Sequence, residues 1–242
     1  MSRTIAWLAL LAAIVSAVAV AATGPAYRAG VDLGTVFFVM FPIGVYAAMA
    51  AGALAVVWLI VAVVRRSSAG LGLVIAALVM GGVAAAFPIS MRTTGQSVPP
   101  IHDITTDTAN PPAFVAIAPL RADSANGVDY KADQNVEPTK QAYPDLQPLV
   151  TDVPPVEMFK RAEAVARSMG WEIVAAEAAE GRIEATDTTL WFGFKDDIVI
   201  RIVAEGEGSR LDVRSMSRDG KSDLGKNAER IRKFLAAVKE AK

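Results

Sequence analysis

The residues of this chain that could do chemistry crowd into its last third. Asp196, Asp197, Arg201, Arg214, Ser215, Ser217, Arg218, Asp223, Asn227 and Arg230 form the densest polar cluster in the sequence. Arginine forks hold carboxylates and phosphates bidentately, so one reading is a pocket for an anionic ligand. The plainer reading is an ion-pair network that fixes a helix on a sheet. Segment 214–233 carries seven bases and three acids, which also admits contact with anionic headgroups at about 1 kcal/mol per basic residue. Upstream, His102-Asp103-Ile104-Thr105-Thr106-Asp107 joins the only histidine to two carboxylates. A metal site can begin this way, but it lacks a second histidine at helical or hairpin spacing, and Asp and Thr in such runs bond their own backbone in turns. An acid–base enzyme would draw on His102, Asp103, Asp196 and Asp197, and would need His102 near the aspartate pair in space.

Gly220-Lys221-Ser222 ends like a phosphate-binding loop. Such a loop starts with a glycine where this chain has Ser215, and backbone amides must close around the phosphates. Asp219 and Asp223 would also repel an anion from the helix start. The tripeptide reads instead as a turn in which Ser222 caps the last helix and Asp223 complements its dipole. There is no cysteine, no Gly-x-Ser-x-Gly elbow and no Ser-x-x-Lys, so neither thiolate chemistry nor a hydrolase nucleophile is advertised. No cofactor, metal, nucleotide or nucleic acid is implied.

The elements that must position these residues divide the 242-residue chain in two. Residues 1–97 hold one acid (Asp32) and five bases (Arg3, Arg28, Arg65, Arg66, Arg92), a charge of +4. The other 24 acids and 19 bases give the remainder −5. A charge-poor half before a charge-rich half indicates a membrane part and a water-soluble part, the latter long enough to bury its own core. The uncharged runs Ile5–Ala22, Gly34–Val64 and Ser67–Met91 each reach or approach the ~20 helical residues that cross a bilayer. Spans are expected over about 4–22, 36–64 and 70–90, the second starting properly near Ile43 or kinking at Pro42. An alternative makes residues 1–22 a cleaved signal peptide. Arg3 and the Arg65-Arg66 loop place the amino terminus in the cytoplasm and the soluble part outside, in the periplasm of a two-membrane bacterium.

Residues 92–112 read as a polar linker and 113–242 as an α+β domain. From 113 to 153 the pattern is irregular. Beyond it, Met158, Phe159, Ala162, Val165, Ala166 and Met169 make a helical stripe that Gly170 ends. Alternation then marks strands over 171–178, 181–194, 196–204 and 209–217, before a last helix from about Ser222 with Leu224, Ala228, Ile231, Leu235 and Val238 on one face. Short strands on tight turns are antiparallel. The expected fold is a three-helix transmembrane region followed by a two-layer α+β domain, its antiparallel sheet covered on one face by two helices. The other face, carrying Arg182, Glu184, Thr186, Arg201, Asp212 and Arg214, is expected to be open. No span contains a charged residue, which argues against an ion pathway; Gly44, Ala48, Gly52, Gly72, Gly81 and Gly82 favour close helix packing.

"HDITTDTANPPAF" (102–114), "YPDL" (143–146), "GWEIV" (170–174), "GRIEATDTTLWFGFKDDIVIRI" (181–202) and "DVRSMSRDGKSDLGKNAERIRKFL" (212–235) resemble, in order, the domain-of-unknown-function family numbered 1499. The resemblance covers nearly all of residues 100–238. It implies a bacterial or plastid domain often preceded by membrane spans or a lipoprotein signal, and it implies no activity. Asp219 and Lys221 stand where the family tends to have an apolar residue and an arginine. The leading expectation is a membrane-anchored domain that binds an envelope protein or an anionic ligand, with the bilayer as its other partner. The alternatives are an envelope enzyme using His102 and aspartates, and a membrane assembly subunit whose spans recognise partners.

Overall fold

The computed structural model describes residues 2–241. It divides into two compact units, residues 2–94 with Trp191–Gly193, and Gly95–Leu190 with residues 194–241.

In the first unit α1 (Ser2–Ala21) is followed by the short α2 (Thr23–Arg28) and α3 (Leu33–Thr35), a π-helical turn (Val36–Met40), α4 (Phe41–Val64) and α5 (Leu71–Ser97). Helix runs unbroken from Leu33 to Val64. Pro42 falls in the first turn of α4, directly after the π-helical turn. A proline lacks the N–H that an ordinary turn would use, and the wider turn before it accommodates that loss. Three helices, over Arg3–Arg28, Leu33–Val64 and Leu71–Ser97, are long and apolar enough to cross a membrane. Alanines line much of the packed interior: Ala9, Ala13, Ala51 and Ala77 form one buried cluster, and in another Ala6 and Ala55 pack with Trp58 and Val74. Bulky apolar side chains point outward, among them Leu11, Val18, Leu59 and Val63. Such an inside-out distribution suits a lipid solvent, since soluble monomers rarely expose contiguous apolar surface.

The second unit holds β1 (Asp103–Thr105), a 3-10 turn (Ala118–Arg121), α6 (Ala132–Ala142), β2 (Leu149–Thr151), α7 (Pro155–Ser168), β3 (Glu172–Glu177), β4 (Arg182–Thr188), β5 (Lys195–Glu205), β6 (Gly208–Ser217) and α8 (Lys226–Glu240). The sheet is antiparallel with order β1-β6-β5-β4-β3, and β2 also pairs with β6. Helices α7 and α8 cover one face. Their Met158, Phe159, Ala162, Val165, Ala228, Ile231, Phe234 and Val238 meet Ile183, Ala185, Ile198, Ile200, Leu211 and Val213, and Trp171 stacks on Phe234 at 5.2 Å. The stretch read as a linker, 92–112, contains the end of α5 and all of β1.

Two expectations are corrected. The sheet face read as open is roofed by the irregular chain between β1 and α6. Phe114, Ile117 and Arg121 are buried there against Val199 and Met216, and beneath them Glu184, Asp212 and Arg214 are 0%, 0% and 2% exposed. The last helix starts at Lys226 after Gly225 at the N-cap position, and the Asp223 carboxylate, not the Ser222 hydroxyl, accepts from its first turn. The Asp223 carboxylate accepts from the N–H groups of Gly225 and Asn227, both at 2.8 Å, while the Ser222 hydroxyl accepts from Leu224 N–H at 3.3 Å. The chain must turn sharply first: Leu224 and Gly225 have φ of 54° and 79°, a left-handed conformation that glycine adopts freely.

Candidate functional site

The sheet separates the polar cluster into two networks. Successive side chains on a strand point to opposite faces, so Asp196 and Asp197 do not act as a pair.

On the helix face the residues are Asp196, Ser215, Ser217, Asn227 and Arg230, brought together where β5 begins and β6 ends, beneath the start of α8. Arg230 donates to Asp196 (2.6 Å), Asp187 (2.9 Å), the Ser215 hydroxyl (3.1 Å) and the Asn227 side-chain oxygen (2.6 Å). Ser215 donates to that same Asn227 oxygen at 2.7 Å. Asn227 in turn donates to Ser217 Oγ (3.1 Å) and to the His102 carbonyl (2.9 Å). Burial alone would weaken the charge on Arg230, but Asp196 and Asp187 outweigh it and raise its pKa. Asp223 lies at the cap, its carboxyl pushed above the ordinary range, chiefly by burial.

On the roofed face stand Asp197, Arg201, Arg214 and Arg218. The Asp197 carboxylate accepts from Arg121 (2.6 Å), Arg218 (2.8 and 2.9 Å) and Thr186 (2.7 Å), with the Asp197 and Arg121 side chains wholly buried. Burial pushes its pKa up, yet the bonds from Arg218, Thr186 and Arg121 prevail and hold it below the usual carboxylate range. Arg214 grips Asp103 bidentately at 2.9 Å and lies over the rings of Phe114 (4.9 Å) and Tyr130 (5.4 Å). Burial, with Asp103 adding to it, pushes the Tyr130 phenol up to about 12. Arg201 and Arg210 share Asp212 and Asp107. Glu184 accepts from the N–H groups of Val115, Ala116 and Ile117 at 2.8 to 3.1 Å, and Arg182 pairs with it. Thus the roof is fastened to the sheet by Asp107, Arg121 and the Val115–Ile117 amides, and by the Pro112 and Val128 carbonyls, which accept from Arg214 at 3.2 and 2.9 Å.

The family model described as "Protein of unknown function (DUF1499)" matches residues 103–238, more than half of the chain. The chain belongs to the DUF1499 family. No curated protein matches it. The matched residues run from the first residue of β1 into α8, so the DUF1499 domain contains every ion pair of both networks.

His102 stands just before the DUF1499 match. Its carbonyl accepts from Ser217 N–H at 3.0 Å, and Ser217 is opposite Asp196 on the next strand. Two strand spacings, roughly 9.5 Å, therefore separate the His102 and Asp196 backbones, with Ser217 and Asn227 between them. The ring Nδ1 lies 3.4 Å from the Lys221 carbonyl. Asp103 and Asp107 are committed to arginines on the roofed face. The residues that the sequence reading left out of the cluster are Arg121, Asp187 and Arg210, and Glu184, Thr186 and Asp212, which it placed only on an open sheet face. One signal pointed to most of them: the polar positions of β4, β5 and β6 alternate with nearly balanced Arg and Asp or Glu, the composition of a face closed on itself.

Proposed function

We propose that this DUF1499 protein is a multi-pass protein of a bacterial inner membrane, with its amino terminus in the cytoplasm and its domain in the periplasm. The domain works by binding an envelope protein or an anionic ligand rather than by catalysis. One observation carries the binding reading: the acids an acid–base enzyme would use, Asp196 and Asp197, lie on opposite faces and each is neutralised by arginine. A general base must be within reach of the proton it takes, and these carboxylates already hold guanidinium groups there. The support for this compartment is the placing of Arg3, Arg65 and Arg66 on one side against Arg28, offset by Asp32, and Arg92 on the other.

An anion has one favourable place to bind on the roofed face. Arg201 and Arg210 have side chains 24% and 32% exposed, against 0% for Arg121 and 3% for Arg214. A carboxylate or phosphate competing with Asp107 for their outer N–H groups would not disturb the buried pairs. Thermal-shift screening of the full chain in detergent against carboxylated and phosphorylated sugars tests this. A stabilising compound should lose its effect on Arg201→Gln/Arg210→Gln. Turnover of an envelope substrate that disappears in His102→Ala would contradict the proposal.

A second reading, recruitment of a membrane partner by the spans, is favoured by Gly52 and Gly82. Both face open space in a groove between α4 and α5 that Ala48, Ala77 and Ala85 also line. Pull-down with the spans alone separates it from a role of the domain.

A further inference from the structure

The turn between β4 and β5 reads Thr189-Leu190-Trp191-Phe192-Gly193-Phe194. Its neck is closed by two bonds of 2.9 Å, from Thr189 N–H to the Phe194 carbonyl and from Phe194 N–H to the Thr189 hydroxyl. Beyond the neck, Trp191–Gly193 form one compact unit with the apolar helices. Within that unit Phe192 is buried, stacked on Phe37 at 6.5 Å and edge-on to Phe41 (6.4 Å) and Tyr27 (6.5 Å). The Trp191 indole covers Gly24, where a Cβ would fall 2.6 Å from ring atoms, so this approach requires glycine. Arg28 donates to the Trp191 carbonyl at 3.2 Å.

The rest of the tip is apolar and faces outward. Leu190 is 93% exposed and Trp191 47%; Phe38 and Val39, next along the helix from Phe37, are 83% and 49% exposed. Leaving a leucine in water forfeits the gain from burying its apolar surface, and tryptophan concentrates at the headgroup level of bilayers. Trp191 shares its compact unit with Phe38 and Val39, which belong to a helix long and apolar enough to span a membrane, and Arg28, which donates to the Trp191 carbonyl, is a cation suited to headgroup phosphates.

We infer that this turn is a bilayer-interface anchor, with the Trp191 indole among the headgroups and the Leu190 side chain entering the acyl chains. The inference rests on reading the apolar helices as spans. Because the chain has no cysteine, single cysteines report cleanly. Leu190→Cys, Val56→Cys on the exposed side of α4 and Glu240→Cys on α8 each receive a nitroxide, in the full chain in lipid nanodiscs. The ratio of oxygen to nickel-chelate collisions should be several-fold higher at 190 and 56 than at 240. A ratio at 190 equal to that at 240, with 56 in lipid, overturns the anchor alone. A label at 190 reached by neither reagent means a protein covers the tip, and overturns it too. An aqueous ratio at 56 overturns both the spans and the anchor.

Discussion

Asp197→Asn removes one negative charge from beneath the roof and leaves side-chain size unchanged. Four donor contacts converge on this carboxylate, from Arg121, Arg218 (two) and Thr186. An amide offers one oxygen and turns its NH2 toward guanidinium groups. If the cluster were an ordinary surface pair, the loss would be about 0–1 kcal/mol. Asp197 and Arg121 are fully buried, and removing one partner of such a pair costs about 3–5 kcal/mol because a charge is stranded. Against a total of roughly 5–15 kcal/mol, that is a large fraction, and in a domain of this size it lowers Tm by roughly 6–20 °C. Pulse proteolysis in urea, on the full chain in detergent, reads the change. Adding Arg121→Met removes the stranded cation and should recover part of the loss. The pH dependence follows. A carboxyl held below its ordinary value contributes fully above the unfolded pKa near 3.9 and loses that contribution as pH falls toward its lower folded value. Asp197→Asn should therefore flatten the acid limb below about pH 4. A loss under about 1 kcal/mol, or a double variant no better than the single, would refute the buried-brace reasoning.

Arg214→Ala strands Asp103, 1% exposed, and empties the space between Phe114 and Tyr130; about 3–5 kcal/mol of destabilisation should appear as aggregation or proteolysis, whereas a well-folded variant would mean the arginine is free to serve a ligand. Glu184→Gln halves the acceptors for the Val115–Ile117 amides at about 1–3 kcal/mol, and hydrogen exchange at those amides should accelerate with little change in α8. Asp223 has a raised folded pKa, so lowering pH from above that value toward the unfolded 3.9 adds stability. Asp223→Asn should lack this component when unfolding midpoints are followed from pH 7 down to pH 4; an unchanged pH profile would contradict the raised carboxyl pKa.

The helix-covered half of the domain was legible because its positions follow a period. Met158 to Ala166 repeat at helical spacing, and Ile198, Ile200 and Ile202 recur at every second position on the helix-covered face, so burial and pattern agree. The roofed half was not, because its cover has no period. Phe114, Ile117 and Arg121 lie in irregular chain, and their burial depends on Glu184 and Asp197 some 70 residues away along the sequence. Alternating charges on Arg182, Glu184, Arg201 and Asp212 ordinarily mark a solvated face, and here neutralise one another under a lid. The candidate cluster was found as a set of residues but read as one group. Neighbours in sequence such as Asp196 and Asp197 are separated by the pleat, which composition cannot reveal. The capping assignment failed for a local reason: two residues of positive φ, Leu224 and Gly225, delay the helix by a turn.

The most direct test of the central claim, a membrane-held binding domain outside the cytoplasm, is a pair of reporters fused after Lys242. Alkaline phosphatase, active only outside, should be active, and green fluorescent protein, which fluoresces only inside when exported unfolded, should be dark. A fluorescent fusion with an inactive phosphatase would place the domain in the cytoplasm and contradict the account.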